Sequence, residues 1–397
     1  MKSKKKTNNN LITIILSSIL TIAFLWFFLL PPTTTRSARQ RPFQPSRRNS
    51  GGSITRFDLR NITATGHALQ NRERVLILTP VARWYDEYWT NLLKLTYPRE
   101  LIDLGFIVPK GPEGDQVIEK LRVRLRDVQG KTGILGGKFN HVTILRQDVE
   151  VPTTQDEKGT RFSNAVLMID RHALEHQKAR RATLSVTRNS LLLTTLAPHI
   201  AWVLWLDADI IETPHSLIQD MTRHDRDIIV ANAYQRYTDE NGQPQERAYD
   251  FNSWIDSETS EALAAGMDDE DVLFEGYAEM ATYRSLMAYI RNDERDKHEE
   301  IQLDGVGTYL PFYAELTHST ALMVKSAVHR DGATFPPFPF YHLLESEGFA
   351  KMARRLGYTC WGLPQYIVRL SKCIADSRCT ITMSKFASVS SMDIALR

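Results

Sequence analysis

Three cysteines, Cys360, Cys373 and Cys379, are too few for a disulfide scaffold and match no zinc-ligand spacing. At most one bridge could form, so cysteine usage leaves the redox compartment open. Neither sign of charge dominates. Lys and Arg number 49 against 47 Asp and Glu, a net charge of +2, and no global field argues for nucleic acid. The chain has no G-x-G-x-x-G, no Walker loop and no internal repeat, so the common nucleotide-binding fingerprints are excluded.

What is present begins with one long apolar run. Residues 11–30 follow Lys2, Lys4, Lys5 and Lys6 without a charge. A run of about 20 residues matches a bilayer core. It ends at Pro31-Pro32 without a small-residue cleavage site, so it reads as a retained signal anchor rather than a signal peptide. The short basic tail, residues 1–10, is expected in the cytoplasm and the remainder in the lumen. Arg36, Arg39, Arg41, Arg47 and Arg48 on the far side keep the Lys/Arg count from choosing an orientation by itself. Residues 31–72, rich in Pro, Ser, Thr, Arg and Gly, read as a flexible stem. Asn61-Ile62-Thr63 is a glycosylation sequon that fits a lumenal setting.

With 397 residues and 42% hydrophobic content, the rest supports a sizeable core. Residues 75–80, 106–109, 142–145, 227–232 and 321–324 read as buried strands. Residues 113–128 and the basic stretch 171–196 read as helices. Strands alternating with helices imply βαβ units and a mainly parallel, doubly wound sheet.

The chemistry concentrates after the apolar run 201–206, at Asp207 and Asp209. Ligands in open α/β sheets bind at the carboxyl ends of strands. Two hard oxygen ligands on one tight turn suit a divalent cation that keeps its other positions for water and a diphosphate. Thr213-Pro214 reads as the cap and first position of a following helix. The ordinary reading of D-x-D is a solvated turn. A glycosidase also needs two carboxylates, but about 5–10 Å apart across the bond, whereas these are one residue apart. Arg180, Arg181 and Arg188 are candidates to hold the diphosphate, because guanidinium forks match phosphate geometry. A solvated basic face is the alternative. Glu275, Glu279 and Asp304 are candidates to take the proton of an acceptor hydroxyl. They stand in aromatic–acidic clusters that suit sugars, as does the Phe335–His342 stretch. His342 is a candidate sugar or metal ligand, its ordinary role being a packed, hydrogen-bonded ring.

The stretches 74–80, 97–105, 202–214, 249–254, 275–280, 329–333 and 340–342 together resemble the fungal Golgi mannan polymerase subunits, the α-1,6-mannosyltransferases of glycosyltransferase family 62. The resemblance covers about residues 72–368. It implies a GT-A-like, Rossmann-like α/β fold spanning 73–368, with helices on both faces of a mainly parallel sheet, behind a single N-terminal transmembrane helix. It also implies a type II Golgi membrane protein with a lumenal catalytic domain. GDP-mannose would be the donor, Mn2+ the cofactor and N-glycan mannan the acceptor. Paralogous subunits would be partners in a hetero-oligomer. By resemblance Asp207 and Asp209 hold the metal, and Thr79 and Pro80 lie against the nucleotide.

Two departures qualify the expected activity. The family carries a histidine that completes the metal site just past the segment matching Tyr366 to Val368. Here Leu370 stands near that place, beside Arg369, whose charge would fall near the cation. The Ser-rich tail 369–397 is expected to be disordered or a gene-model artefact. About a dozen residues, around Tyr309 to Ser319, are inserted relative to the family. A catalytically impaired scaffold subunit of the same complex is therefore the alternative.

Overall fold

The apolar run before the two aspartates forms β4 (Ile200–Leu206), in which every residue is buried. Its side chains alternate, as a strand requires. Trp202, Leu204 and Leu206 enter one apolar layer, Val203 and Trp205 the other. Burying each such side chain contributes about 1.5–3 kcal/mol. The strand is therefore held from both faces, and its carboxyl end is a rigid place to mount a site.

The structure is a computed structural model describing residues 63–130, 137–147, 171–239, 241–251, 253–273, 282–292, 294, 296–306 and 321–371. All of these belong to the unit Phe57–Arg397. The other strands are β1 (Arg74–Pro80), β2 (Ile102–Val108), β3 (His141–Arg146), β5 (Ile210–Glu212), β6 (Ile228–Thr238), β7 (Pro244–Ala248), β8 (Trp254–Ile255), β9 (Ser285–Leu286), β10 (Ile301–Leu303), β11 (Ala321–Lys325) and β12 (Cys360–Leu370). The helices are α1 (Asp86–Lys94), α2 (Pro112–Gln129), α3 (Arg171–Thr195), α4 (Leu217–Arg223), α5 (Glu258–Ala265), α6 (Ser326–Arg330) and α7 (Glu345–Arg355).

The large sheet runs β10-β12-β6-β11-β4-β1-β2-β3, with β5 added to β12 and β7 to β6. Pairs β1–β2, β1–β4, β2–β3 and β6–β12 are parallel. β11 lies antiparallel between β4 and β6, and β5, β7 and β10 are also antiparallel. The α/β class holds, but the sheet is mixed rather than mainly parallel. A buried strand reads as a continuous apolar run in either direction, so the run 321–324 betrayed its place but not its polarity.

Apolar side chains of α1, α2 and α4 pack on one face of the sheet. Those of α3, α6 and α7 pack on the other. α3 comes close because Gly105, in the middle of β2, has no Cβ. A Cβ there would meet Leu78 Cδ2 at 2.7 Å and Leu191 and Thr195 of α3 at 3.3 Å.

Several expectations shift at the boundaries. Residues 63–72, expected in the stem, are turns tied to the domain. Ala68 is buried, the Tyr97 hydroxyl donates to its carbonyl, and the Thr65 hydroxyl donates to Glu73 at 2.6 Å. Thr213 does not cap a helix. β5 follows the aspartates, and Thr213 instead donates both its N–H and its hydroxyl to Asn91 Oδ1 on α1. β12 runs through Arg369 and Leu370, two residues past the expected end of the domain. Among the described residues no helix is long and apolar enough to cross a membrane. The run 11–30, Asn61, Glu275, Glu279, the insert 309–319 and the tail from 372 onward lie outside the described residues.

Candidate functional site

Asp207 and Asp209 sit on the turn where β4 ends and β5 begins, and each is only 3% exposed. The turn is braced from three sides. The Ile210 N–H bonds back to the Asp207 carbonyl at 3.1 Å. Asn91 holds Thr213 at the far end of β5. From β12, Leu370 pairs with Ile210, and the Ser371 N–H donates to the Asp209 carbonyl at 2.9 Å. The two carboxylates open, with Pro80, Ala82, Arg83, Tyr85, Leu184, Thr187, Arg188 and Ala208, onto a cleft of about 60 Å³.

The three arginines of α3 are buried, which excludes the solvated basic face. Arg188 straddles Asp207, its Nη2 lying 3.1 Å from both carboxylate oxygens, and its Nε donates to Glu345 Oε1 at 2.7 Å. Its guanidinium also lies 5.4 Å from the Trp205 ring and 5.6 Å from that of Phe335. Burial alone would lower its pKa, but Asp207 and Glu345 outweigh that and hold it raised. Arg181 donates to Glu347 Oε1 at 2.7 Å. Burial pushes the Glu347 carboxyl up, with Arg181 opposing. Burial lowers the Arg180 pKa, Arg181 adds to that, and Glu345 and Tyr249 offset part of it. Only Arg188 of the three lines the cleft.

Pro80 lines the cleft, while Thr79 lies behind it. Thr79 is fully buried, and its hydroxyl shares a 2.6 Å hydrogen bond with that of Tyr88. Burial raises the Tyr88 pKa, so its proton stays in place. Asp304 does not reach the cleft. One of its carboxylate oxygens pairs with Arg354, and the other accepts the Asp256 N–H at 2.8 Å. It positions the loop around Trp254 and is withdrawn as a proton acceptor. His342 also lies off the cleft lining, with φ +63° and Nδ1 3.3 Å from the Asp271 carbonyl. In the aromatic stretch before it, Phe335 is core: buried, edge-on to Trp205 at 4.9 Å and zipped to α3 through Asn189. Arg369 pairs with Glu212 at 3.0 Å and Glu246 at 2.7 Å, so its charge is spent there rather than on Asp207 and Asp209. Leu370 is 2% exposed, within an apolar layer.

The Anp1 family model matches residues 53–339. The chain belongs to the Anp1 family. It is 49% identical over 318 residues to the mannan polymerase complex subunit mnn9 of Schizosaccharomyces pombe, covering 80% of this chain and 86% of that protein. To the mannan polymerase complex subunit MNN9 of Candida albicans it is 46% identical, covering 79% of each. To the mannan polymerase II complex anp1 subunit of S. pombe it is 36% identical, covering 79% of this chain and 68% of the relative.

Three residues of this Anp1-family site escaped sequence reasoning. Glu345 and Glu347 open α7, both 1% exposed, and Glu345 adopts φ +50°. A left-handed, buried glutamate is strained backbone that its surroundings must enforce. In sequence, two acids at a helix start read only as favourable for the helix dipole. Arg83, exposed at the mouth of the cleft, stood in no motif.

Proposed function

We propose that this chain is an mnn9-type subunit of a fungal mannan polymerase complex that transfers mannose from GDP-mannose to α-mannoside acceptors with net retention, in the Golgi lumen. The observation that carries the reading is the pair Asp207–Asp209 at the end of β4, opening onto a cleft shared with Pro80, Arg83 and Arg188. The higher identity to the two mnn9 subunits than to the anp1 subunit supports the paralogue class. The names of these relatives support assembly with paralogous subunits.

The donor set fits a Mn2+-type cation held by one or two carboxylates together with a substrate diphosphate and water. Asp207 and Asp209 would be its protein ligands, with Arg188 bridging both oxygens of Asp207. When bound, such a cation offsets charge on the departing GDP. Arg188 fixes the rotamer of Asp207 and keeps the wall of the cleft in place. Arg83 is positioned to meet the diphosphate at the mouth, and the Tyr85 ring, 5.8 Å from its guanidinium, offers a flat face there.

The test is transfer from radiolabelled GDP-mannose to α-1,6-mannobiose by the full-length chain. Asp209→Asn should lower kcat/KM by about two orders of magnitude, the usual scale for losing one strong electrostatic contact in a site. Wild-type rates in that variant would remove the aspartate from the reaction. A second reading, a scaffold subunit with a weakened site, is favoured by Leu370 in place of an imidazole at the strand end beside Asp209. Among the described residues no group of three His, Cys, Asp or Glu side chains is disposed to hold a metal. No transfer by the wild type, with paralogous subunits present or absent, would select that reading.

A further inference from the structure

A second cleft, of about 680 Å³, opens beside β6 and is walled by Tyr234, Ala288, Tyr289, Arg291, Asn292 and Glu294. We infer that this cleft is the acceptor site and takes an uncharged mannoside chain a few sugars long. The inference rests on the reading above and goes beyond it by naming where the acceptor lies.

The walls have the chemistry of a sugar site. The Tyr289 ring is 55% exposed, far more than packing requires, yet it is braced by Phe251 with ring centroids 5.6 Å apart and planes at 31°. Such a ring can hold the C–H face of a pyranose. Tyr234 is anchored by its hydroxyl, which donates to the Ala288 carbonyl at 2.9 Å, and Arg291 lies 5.1 Å from its ring. The turn at Asn292 is set from within, its side-chain oxygen accepting the Glu294 N–H at 3.0 Å. Guanidinium, amide and carboxylate around one hollow supply both donors and acceptors, as a polyol requires. One cation and one anion leave no excess charge, so the hollow does not select a phosphate.

Its position suits attack on the donor. On β6, Gln235, next to Tyr234, lies opposite Leu370 of β12, and Leu370 lies opposite Ile210, the residue after Asp209. Two strand spacings are about 10 Å, within the reach of a short oligosaccharide. Alternation along β6 puts Tyr234 on the side of Ile228 and Val230, the apolar layer that Trp205 and α3 also share. The cleft therefore opens on the face of the sheet that carries Arg188.

The experiment uses the full-length chain with α-1,6-mannotriose, read by saturation-transfer NMR and by transfer kinetics. Tyr289→Ala should raise the acceptor KM about tenfold, the scale of one lost ring contact, and weaken the NMR effect. The GDP-mannose KM and kcat should stay within about twofold. Tyr289→Phe, which keeps the ring, should match the wild type. A purely structural role for Tyr289 would instead move the donor KM, kcat and circular dichroism together. Unchanged acceptor KM in both Tyr289→Ala and Arg291→Ala would overturn the inference while leaving the transferase reading intact. So would absence of mannotriose binding to the wild type. Binding that is lost in Tyr289→Ala, in a wild type that transfers nothing, would uphold the cleft and defeat the transferase reading.

Discussion

Replacing Arg188 isolates the charge network under the aspartates. Its side chain is 2% exposed, and those of Asp207 and Glu345 are 5% and 1% exposed. Arg188→Met keeps much of the apolar stem and removes the guanidinium. Two carboxylates then lose their shared cation in a place that water does not reach. Breaking a buried pair by removing one partner costs about 3–5 kcal/mol, against a total stability of about 5–15 kcal/mol. Arg188→Lys should recover little, since an ammonium cannot fork between two carboxylates. The control is Arg72→Ala, whose bridge to Glu100 is mostly exposed at both ends and should cost less than about 1 kcal/mol. Urea titrations followed by circular dichroism give each value. Adding Asp207→Asn and Glu345→Gln to Arg188→Met should regain part of the loss, because no stranded charge then remains. A loss below about 1 kcal/mol in Arg188→Met alone would show that solvent reaches the network, and the argument for a rigid site would fall.

Two further outcomes follow from the same face of the sheet. His329 is buried, and burial lowers its pKa to about 4, its Nδ1–H contact with the Ala333 carbonyl opposing. Its Nε2 accepts the Trp205 indole N–H at 3.2 Å, so the fold selects the neutral tautomer. Above about pH 6.5 the ring is neutral folded or unfolded and contributes no pH dependence. As pH falls from about 6.5 to about 4 the unfolded chain takes the proton first, so stability drops by at most about 3 kcal/mol. His329→Leu should flatten that slope in urea titrations at stepped pH, and an unchanged slope would exclude His329 as its source. Gly105→Val should push α3 away from β2 and lower the melting temperature, the steric cost of overpacking being about 1–3 kcal/mol. An unchanged melting temperature would show that α3 gives way freely.

The position of the aspartates was legible because three local signals coincide there: an apolar run of strand length, two acids one residue apart and a turn. The strands 74–80, 141–146 and 200–206 and the helices 112–129 and 171–195 were legible for the same reason, since each carries its own period. The partners of the arginines were not. Arg188 and Glu345 are 157 residues apart, and Arg181 and Glu347 are 166 apart. No periodicity relates such positions, and a basic helix facing inward looks the same in sequence as one facing water. Thr213 misled because Thr-Pro after an acidic turn is a sound helix start, whereas Asn91 offers that residue a better partner.

The network also bears on how a cation would bind. Asp207 and Glu345 face Arg188, Asp209 lies on the same turn as Asp207, and Arg180 is in electrostatic reach of Glu345. With all five ionised, three carboxylates against two guanidinium groups leave one negative charge. That is too little to hold a bare divalent cation strongly, since even a well-made site of this kind gains much of its affinity from ligand charge. A diphosphate brings the missing charge, and Arg83 stands at the mouth where it would arrive. Under the proposed function, cation and nucleotide would strengthen one another, each supplying charge the other needs. Leu370 at the end of β12 fits the same logic. It seals the apolar layer beneath the turn instead of adding a ligand, so in that reading the donor would have to recruit the cation.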